Sequence, residues 1–507
     1  MTGVILVFGI YTAFMIAIGV FFFKKSDTLM DYFIGGRQLN AWVAAFSTHA
    51  SDMSGWLMMG LVGSVYAFGI GQIWIALGLA LGTILNWLLV AKRIRRYSLT
   101  AGYAITLPEF FENRFHDSSH ILRFVSAVFI TIFFTIYAAS GFVACGSLFS
   151  QIFGIDYQIA LLIAVLVILI YTFLGGFRAV CWTDFFQGLL MLITILAVPL
   201  VTLALIGGPA ALLQKLPKSL LNPAADSGGR PMTAVSVISQ LAWGLGYFGM
   251  PHLLIRFMAV KREKEISRAA LLAGSVVIVS LAAAILMGLA GAALIPQTDY
   301  PERTLILTVQ KLFTLPGAVF YMPVLGGVFF CGVFAAIMST IDSQLLVTAS
   351  TITSDLYQGI IHREAPEKHF LLFSRFSIVV TSIVAYLIAV DPDSSVMDLV
   401  SNAWSGFGSA FSALILCSLY WKRLNRSGAA AGIVAGGLTV IIWDHILCVP
   451  YRDAWLTLGQ ATGLYSLAPG FIVSLLSILA VSLITKPPSQ EIYSEFERAA
   501  VKPIFEE

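Results

Sequence analysis

Nine consecutive residues inside an otherwise apolar segment decide the fold: Ser47-Thr48-His49-Ala50-Ser51-Asp52-Met53-Ser54-Gly55. A carboxylate at the centre of a membrane helix costs about 2.5–3.5 kcal/mol on insertion scales. One alternative is a polar knot in which the hydroxyl groups bond back to carbonyls one turn earlier. Six polar residues that end in a glycine instead favour an unwound stretch, whose freed carbonyl groups line a polar cavity.

The composition of the whole chain indicates hydrocarbon as the solvent. Of 507 residues, 58% are hydrophobic and 11% are charged, whereas roughly 25% are charged in typical soluble domains. Because so few charges cannot cover a water-exposed surface, we expect an all-α polytopic membrane protein. The net charge of +3 gives no electrostatic support for a nucleic-acid partner, so the lipid bilayer is the predicted surrounding.

Apolar segments long enough to cross a bilayer, about 20 residues each, recur along the chain. We place thirteen of them near 4–23, 41–66, 69–91, 122–149, 157–177, 184–207, 233–256, 270–295, 317–357, 370–390, 394–420, 428–449 and 464–485. The ninth segment is too long for one crossing and is predicted to continue beyond the membrane as a helix. Residues 1–485 then form one transmembrane domain, and 486–507 form a polar tail.

The basic residues predict the orientation of these segments. Lys24 and Lys25 directly follow the first segment and should stay in the cytoplasm, which puts the amino end outside. With thirteen crossings, 24 of the 30 lysines and arginines fall in inside connections and 6 fall outside. One segment more or fewer would invert every later connection and remove this bias. We therefore expect the carboxyl end in the cytoplasm.

The seventh segment contains a second interruption, Trp243-Gly244-Leu245-Gly246-Tyr247-Phe248-Gly249-Met250-Pro251-His252. Proline removes a helix donor, and the glycines loosen the helix further. Two amphipathic rings, Trp243 and Tyr247, flank the break and indicate a binding pocket. The two interrupted segments lie five crossings apart, an odd number, so that five-crossing units starting at each would have opposite orientations. Paired broken helices in inverted repeats are typical of secondary transporters.

The ninth segment carries a run of small and hydroxyl residues, Ala335-Ala336-Ile337-Met338-Ser339-Thr340. Ser339 and Thr340 follow Ala336 by three and four residues, so their polar groups share one helix face. Hydroxyl and carbonyl oxygens suit a hard cation such as sodium. A back-bonded serine–threonine pair is the alternative, so the ion site depends on this segment meeting the first interruption.

Several stretches, in order along the chain, resemble the solute:sodium symporter family, and most closely its bacterial sodium/proline symporters. They are ASDMSGW (50–56), FFTIYAASG (133–141), WTDFFQG (182–188), WGLGYFG (243–249), PHLLIRFMA (251–259) and MSTIDSQLLV (338–347). The resemblance implies a LeuT-type core of two inverted five-crossing repeats, 41–207 and 233–420. It also implies sodium-coupled uptake of L-proline by alternating access across a bacterial inner membrane, with no cofactor, no enzymatic activity and no obligate protein partner.

The same resemblance implies the residues of the site. Sodium would bind the backbone carbonyls of Ala50, Met53 and Ala336 and the hydroxyls of Ser339 and Thr340. The proline pocket would consist of Ser54, Trp56, Tyr137, Trp243, Tyr247 and Pro251, with aromatic faces against the pyrrolidine ring and its ammonium group. Asp52 would set the electric field near the ion without binding it. Asp184 would lie towards the inward exit path, with helix capping or a topogenic role as alternatives, and Arg256 is also explained by the positive-inside pattern alone.

Three positions depart from the pattern of the proline carriers: His49, Met250 and Asp342. Met250 adjoins the pocket, so a symporter for a different amino acid, a monocarboxylate or pantothenate is an alternative. Asp342 lies less than a turn beyond Thr340, so coupling to protons through Asp52 or Asp342 is another. A membrane enzyme or a channel-like respiratory subunit is disfavoured, because the sequence pairs no nucleophile with a base and confines lysines and glutamates almost entirely to loops.

Overall fold

The computed structural model describes residues 2–23, 28–174, 176–361, 366–451 and 454–500. Its α-helices are Thr2–Phe23, Leu29–Ile34, Ala41–Gly55, Val62–Phe68, Ile73–Leu85, Lys92–Thr100, Leu107–Arg114, Ile121–Phe153, Tyr157–Leu174, Phe177–Leu205, Gly208–Lys215, Ala234–Ala242, Pro251–Met258, Glu263–Leu294, Thr304–Val309, Pro323–Ser350, Glu367–Ile388, Val396–Phe407, Ala413–Tyr420, Arg426–Ile441, Leu458–Thr462, Leu467–Ile484 and Gln490–Ala500. Four 3₁₀ segments are Gly35–Arg37, Gly69–Gln72, Trp243–Gly249 and Pro301–Arg303. Six π-helical segments are Trp56–Leu61, Asn86–Ala91, Gln310–Thr314, Thr351–Ile361, Gly408–Ser412 and Ile442–Ile446.

Within the described residues, ten helices are long and apolar enough to cross a membrane. They are Thr2–Phe22, Ala41–Thr100, Ile121–Phe153, Phe177–Leu205, Glu263–Leu294, Pro323–Ile361, Lys368–Ile388, Val396–Tyr420, Arg426–Ile446 and Leu467–Ile484. The predicted count of thirteen differs for physical reasons: 41–100 is one helical path, Tyr157–Ile170 is short, and the seventh segment is divided into three pieces. The chain is thus a helical, polytopic membrane protein with about ten apolar helices.

The helical path 41–100 turns back on itself. It changes direction at Gly69, whose φ of 78° suits glycine and whose position lies against the backbone of Leu220. The Arg37 guanidinium, just before the path, donates to the Ser98 hydroxyl at 3.0 Å near its end. The two ends of the path therefore lie together. Lys24 and Lys25, which begin the predicted charge pattern, are outside the described residues.

A short β-hairpin interrupts the predicted all-α architecture. Strands Cys448–Tyr451 and Ala454–Thr457 pair antiparallel, with Cys448 opposite Thr457. The sequence analysis extends a membrane helix to residue 449, whereas the helical segment ends at Ile446. Pro450 explains the difference, because a proline removes a helix donor and pushes the preceding residue into an extended conformation.

The tail from residue 486 is more ordered than the predicted polar extension. Helix Gln490–Ala500 packs on helix Lys92–Thr100, where the Phe496 and Tyr97 rings lie 6.2 Å apart. The buried Arg114 guanidinium lies 5.3 Å from the Phe496 ring, a cation–π arrangement. We call the side of the molecule formed by Lys92–Thr100, Leu107–Arg114 and Gln490–Ala500 the carboxyl-terminal face. Residues 501–507 are outside the described ranges.

The helices that surround the site pack closely through small residues. Helix Ile73–Leu85 lies against segment Trp243–Gly249, and a methyl group added to Gly82 would overlap the Gly244 carbonyl. Helix Ala41–Gly55 packs between Phe177–Leu205 and Pro323–Ser350, with Gly188 against Ala50 and Phe46. The helix that begins at Pro323 continues without interruption to Ile361, as the sequence analysis expects for the overlong ninth segment.

Candidate functional site

The first interruption is confined to one residue. Ser54 has φ 50° and ψ −173°, while the residues on either side keep helical conformations. Its hydroxyl accepts from the Trp56 amide at 2.9 Å, which compensates for a lost helical bond. The unwound stretch predicted for 47–55 is therefore too long. Its hydroxyl groups find other partners: Thr48 donates to the Ala44 carbonyl at 2.6 Å, the back-bonded arrangement given above as the alternative.

The second interruption is a wider break. Residues 243–249 form a 3₁₀ segment, Met250 is extended, and Pro251 begins the next helix. Neighbouring helices supply donors to the carbonyl groups that this break frees. Asn86 donates to the Tyr247 carbonyl at 2.9 Å, Ser412 to that of Leu245 at 2.7 Å and Trp404 to that of Trp243 at 2.8 Å. Irregular backbone at membrane depth is thus satisfied within the protein.

Four of the five predicted sodium ligands meet where the first broken helix touches helix Pro323–Ser350. The Ser339 hydroxyl donates to the Ala50 carbonyl at 2.8 Å and lies 3.1 Å from that of Ala336. The Thr340 hydroxyl lies 3.3 Å and 3.2 Å from the same two carbonyl oxygens. The fifth residue, Met53, directs its carbonyl to the Trp56 amide instead. The result is a buried cluster made only of oxygen atoms, the donor type that hard cations select.

The first broken helix also lines a small aromatic cavity of about 10 Å³. It is lined by Asp52, Met53, Trp56, Leu79, Tyr137, Trp243, Tyr247, Val400 and Trp404. The four predicted aromatic residues all line it, whereas Ser54 and Pro251 do not. Those two residues form the breaks: the Ser54 hydroxyl is used locally, and Pro251 starts a helix. A space of about 10 Å³ holds roughly one water molecule, so the rings close the pocket in this conformation.

The rings of the cavity pack on one another. Trp56 and Trp243 are 5.3 Å apart, and Tyr465 stacks on Trp243 at 5.1 Å from outside the cavity. Trp404 meets Tyr247 edge to face at 5.1 Å. The sequence analysis missed Trp404. The polar run Ser401–Ser409 (SNAWSGFGS) inside the eleventh apolar segment was the available signal.

Asp52 connects the two broken helices. Its carboxylate accepts from the Tyr247 hydroxyl at 2.6 Å, and it lines the cavity beside Met53. No hydrogen bond joins Asp52 to the four-oxygen cluster in the described part of the chain. The role of Asp52 as a charged group near the ion stays a prediction.

Asp184 and Arg256 form a buried ion pair at 2.7 Å, with side chains 0% and 1% exposed. Ser47 donates to Asp184 and accepts from Arg256, both at 2.7 Å. Arg256 also donates to the Ser343 hydroxyl at 2.6 Å. The pair therefore joins helices from both predicted repeats. Because Arg256 is buried and paired, the positive-inside pattern alone does not explain it. Asp184 lies within helix Phe177–Leu205 and does not cap it.

The three departing residues are all buried. The His49 ring lies 3.2 Å from the Ser280 hydroxyl, as a hydrogen-bonded imidazole inside the bundle would. Met250 lies outside the cavity lining, at the extended residue before Pro251. Asp342 lies 3.4 Å from the Ser343 hydroxyl and is therefore near the Asp184–Arg256 pair.

Solved structures share this arrangement of helices. A Na⁺-coupled sialic acid symporter, solved in a substrate-bound outward-open state, matches with a TM-score of 0.75 at 20% identity, covering 97% of this chain and 99% of that one. MhsT in complex with L-phenylalanine matches with a TM-score of 0.50 at 16% identity, covering 87% and 97%. At these identities the likeness concerns the fold alone, which is that of LeuT-type transporters.

Sequence comparison gives nearer relatives. A Bacillus subtilis protein named osmoregulated proline transporter OpuE is 41% identical over 495 residues, 97% of both chains. A Staphylococcus aureus protein named sodium/proline symporter is 40% identical over 497 residues, 96% of this chain and 94% of that one. The model of the sodium:solute symporter family matches residues 32–436. This chain therefore belongs to the sodium:solute symporter family.

Proposed function

We propose that this protein takes up L-proline together with sodium by alternating access. The observation that carries the proposal is that one broken helix supplies both Ala50 of the four-oxygen cluster and Asp52, Met53 and Trp56 of the small aromatic cavity. The two relatives described above, named as a proline transporter and a sodium/proline symporter, support proline as the solute.

The proposed molecule has thirteen crossings, of which ten form a core of two inverted five-crossing repeats at 41–207 and 233–420. The Arg37–Ser98 contact supports counting the path 41–100 as two crossings, since its ends lie on one side. The short helix Tyr157–Leu174 and the divided seventh segment supply the other two. We place the amino end outside and the carboxyl-terminal face, with the tail 486–507, in the cytoplasm of a bacterial cell.

Sodium is proposed to bind between the first broken helix and helix Pro323–Ser350. Its ligands are the Ala50, Met53 and Ala336 carbonyls and the Ser339 and Thr340 hydroxyls. The two hydroxyls now donate to the same carbonyls, so rotation of each O–H bond turns an oxygen lone pair towards the cation. Because the ligands come from two helices, the ion holds those helices together.

Proline is proposed to bind against Trp56, Tyr137, Trp243 and Tyr247, with Trp404 as an additional wall. Aromatic faces attract an ammonium group with about 0.5–2 kcal/mol. Ser54 and Pro251 act through the backbone breaks that shape the cavity. Asp52 holds Tyr247 in place and supplies negative charge near the ion, and Asp184 with Arg256 closes the path to the cytoplasm.

One sodium ion provides enough energy for uptake. Proline is a neutral zwitterion, so each cycle moves one positive charge inward. A potential of 100 mV contributes about 2.3 kcal/mol for that charge. A tenfold sodium gradient adds about 1.4 kcal/mol. Together these support roughly several-hundred-fold accumulation of proline.

Flux of labelled proline into proteoliposomes tests the proposal. An inward sodium gradient should drive accumulation, and a pH step in sodium-free buffer should not. Full uptake driven by the pH step would instead establish proton coupling. Unlabelled amino acids, monocarboxylates and pantothenate should compete poorly with proline; stronger competition by one of them would replace proline as the solute.

A further inference from the structure

A second cavity opens at the carboxyl-terminal face, far along the chain from the transport site. It has a volume of about 550 Å³ and is lined by Phe115, Asn425, Arg426, Ser427, Ile484, Thr485, Lys486, Pro487, Pro488, Ser489 and Ile492. Its walls are the beginning of helix Arg426–Ile441 and the chain that leaves helix Leu467–Ile484. The proposed transport cycle uses none of these residues.

The two walls are joined by a buried asparagine. The Asn425 amide group donates to the Thr485 hydroxyl and to the Lys486 carbonyl, both at 2.7 Å. Its carbonyl oxygen accepts from the Gly428 amide at 2.9 Å and so caps the helix. Arg423 adds a bond to the Thr485 carbonyl at 2.9 Å. These bonds hold the backbone of the two walls in a fixed relation.

The charge of the cavity is positive. Arg426 and Lys486 line it, and no carboxylate does. Asp117 is not part of the lining, but its Oδ1 atom lies 3.3 Å from Nη1 of Arg426. Burial alone would raise the pKa of Asp117, but hydrogen bonds from Ser119 and Leu122 and the charge of Arg426 hold that pKa below its usual range. The ionised Asp117 carboxylate thus interacts with Ser119 and Leu122 as well as with Arg426. The Arg426 side chain remains 48% exposed.

The cavity also adjoins exposed apolar side chains. Leu483 and Ile484, in the last turn of an apolar membrane helix, are 62% and 82% exposed, and Ile484 is part of the cavity wall. A molecule in the cavity can therefore have its charged part beside Arg426 and Lys486 and its apolar part along this helix. The Ser427 and Ser489 hydroxyls on the wall supply further donors for an acidic group.

We propose that this cavity binds the phosphate group of an anionic phospholipid whose acyl chains lie along Leu483 and Ile484. Basic pockets at the ends of membrane helices are typical sites for such headgroups. Ile492 of the carboxyl-terminal helix forms part of the same wall, so a bound headgroup also contacts the segment that covers this face.

Native mass spectrometry of the purified full-length protein tests the proposal, with phosphatidylglycerol and phosphatidylcholine as competing probes. Wild-type protein should retain phosphatidylglycerol in preference. The double variant Arg426→Gln, Lys486→Gln should bind it roughly 30-fold more weakly, since each basic residue near an anionic membrane surface contributes about fivefold. Lys486→Gln alone should lose about fivefold, and it avoids disturbing Asp117. Lys422→Gln is the matched control, because Lys422 is exposed and does not line the cavity.

Two results would overturn the proposal. One is equal affinity of the double variant and the wild type for phosphatidylglycerol. The other is displacement of phosphatidylglycerol by inorganic phosphate at low millimolar concentration, which would identify free phosphate as the ligand. Proline flux is not the readout, so failure here and failure of the proposed transport function are separate outcomes.

Discussion

The Tyr247 hydroxyl donates to the Asp52 carboxylate at 2.6 Å. This bond joins the two broken helices, and both of its partners line the aromatic cavity. One partner lies two residues from Ala50, and the other is a ring of the solute pocket. A change in either partner therefore reaches both the ion cluster and the cavity.

Removal of that hydroxyl should weaken solute binding. Tyr247→Phe keeps the ring but leaves Asp52 without its donor, and hydrogen bonds to charged groups contribute about 1.5–3 kcal/mol. We expect the proline concentration for half-maximal uptake to rise by about tenfold or more. Tyr465→Phe is the control, since its hydroxyl bonds the Ser401 carbonyl and its ring remains on Trp243. Identical proline dependence in both variants would contradict a role for the Tyr247–Asp52 bond.

The ion cluster predicts a selective effect of two hydroxyl groups. The double variant Ser339→Ala, Thr340→Ala removes two of the oxygen ligands, and the sodium concentration for half-maximal uptake should rise by more than about tenfold, or 1.4 kcal/mol. Thr348→Ala on the same helix is the matched control, because its buried hydroxyl only bonds back to the Gln344 carbonyl. Unchanged sodium dependence in the double variant would show that sodium does not bind at Ser339 and Thr340.

The buried ion pair predicts that its two members compensate for each other. Arg256→Gln leaves the Asp184 carboxylate buried without its counter-charge. This should lower the free energy of unfolding by about 3–5 kcal/mol. The double variant Arg256→Gln, Asp184→Asn should be more stable than Arg256→Gln alone, because the uncompensated charge is gone. Thermal unfolding in detergent measures both. Additive destabilisation would mean that the two residues act independently despite their 2.7 Å contact.

Trp404 can be tested through the glycine that it covers. A methyl group at Gly246 would overlap the Trp404 indole, so Gly246→Ala must displace that ring. Overpacking of this kind costs about 1–3 kcal/mol, and the proline concentration for half-maximal uptake should rise roughly 5- to 150-fold.

Gly274→Ala is the control for this substitution. Gly274 is also buried, but its added methyl would meet only the Ile84 side chain at 3.6 Å, an ordinary contact. If Gly246→Ala transports proline with the dependence of Gly274→Ala, Trp404 is not a wall of the solute pocket.

The sequence predicts the helical class, the location of both breaks and the meeting of Ala336, Ser339 and Thr340 with Ala50. Each of these depends on local chemistry: polar residues and proline do not fit an uninterrupted lipid-facing helix. The extent of the first break is only partly local. Thr48 bonds back to the Ala44 carbonyl, as the alternative reading of the sequence allows, whereas Ser47 donates to Asp184, 137 residues away. The sequence alone does not reveal that distant partner.

Other features depend on contacts between residues far apart in the chain. Trp404 reaches the cavity because its indole donates to the Trp243 carbonyl, 161 residues away. In the sequence, Arg256 resembles a basic residue of a cytoplasmic loop. Its packing against helix Phe177–Leu205 places it in a buried ion pair with Asp184. The end of the helix before the β-hairpin is predictable from the sequence, because Pro450 does not fit a continued helix.

The Ser339 and Thr340 hydroxyls also bear on how an unloaded carrier returns. A buried carbonyl without a donor costs about 1–3 kcal/mol, which would trap any carrier that had released its cargo. Here the Ser339 and Thr340 hydroxyls donate hydrogen bonds to the Ala50 and Ala336 carbonyl oxygens, so those oxygens have donors of their own. In the proposed cycle the same atoms would therefore both bind the ion and lower the barrier to the return of the empty carrier.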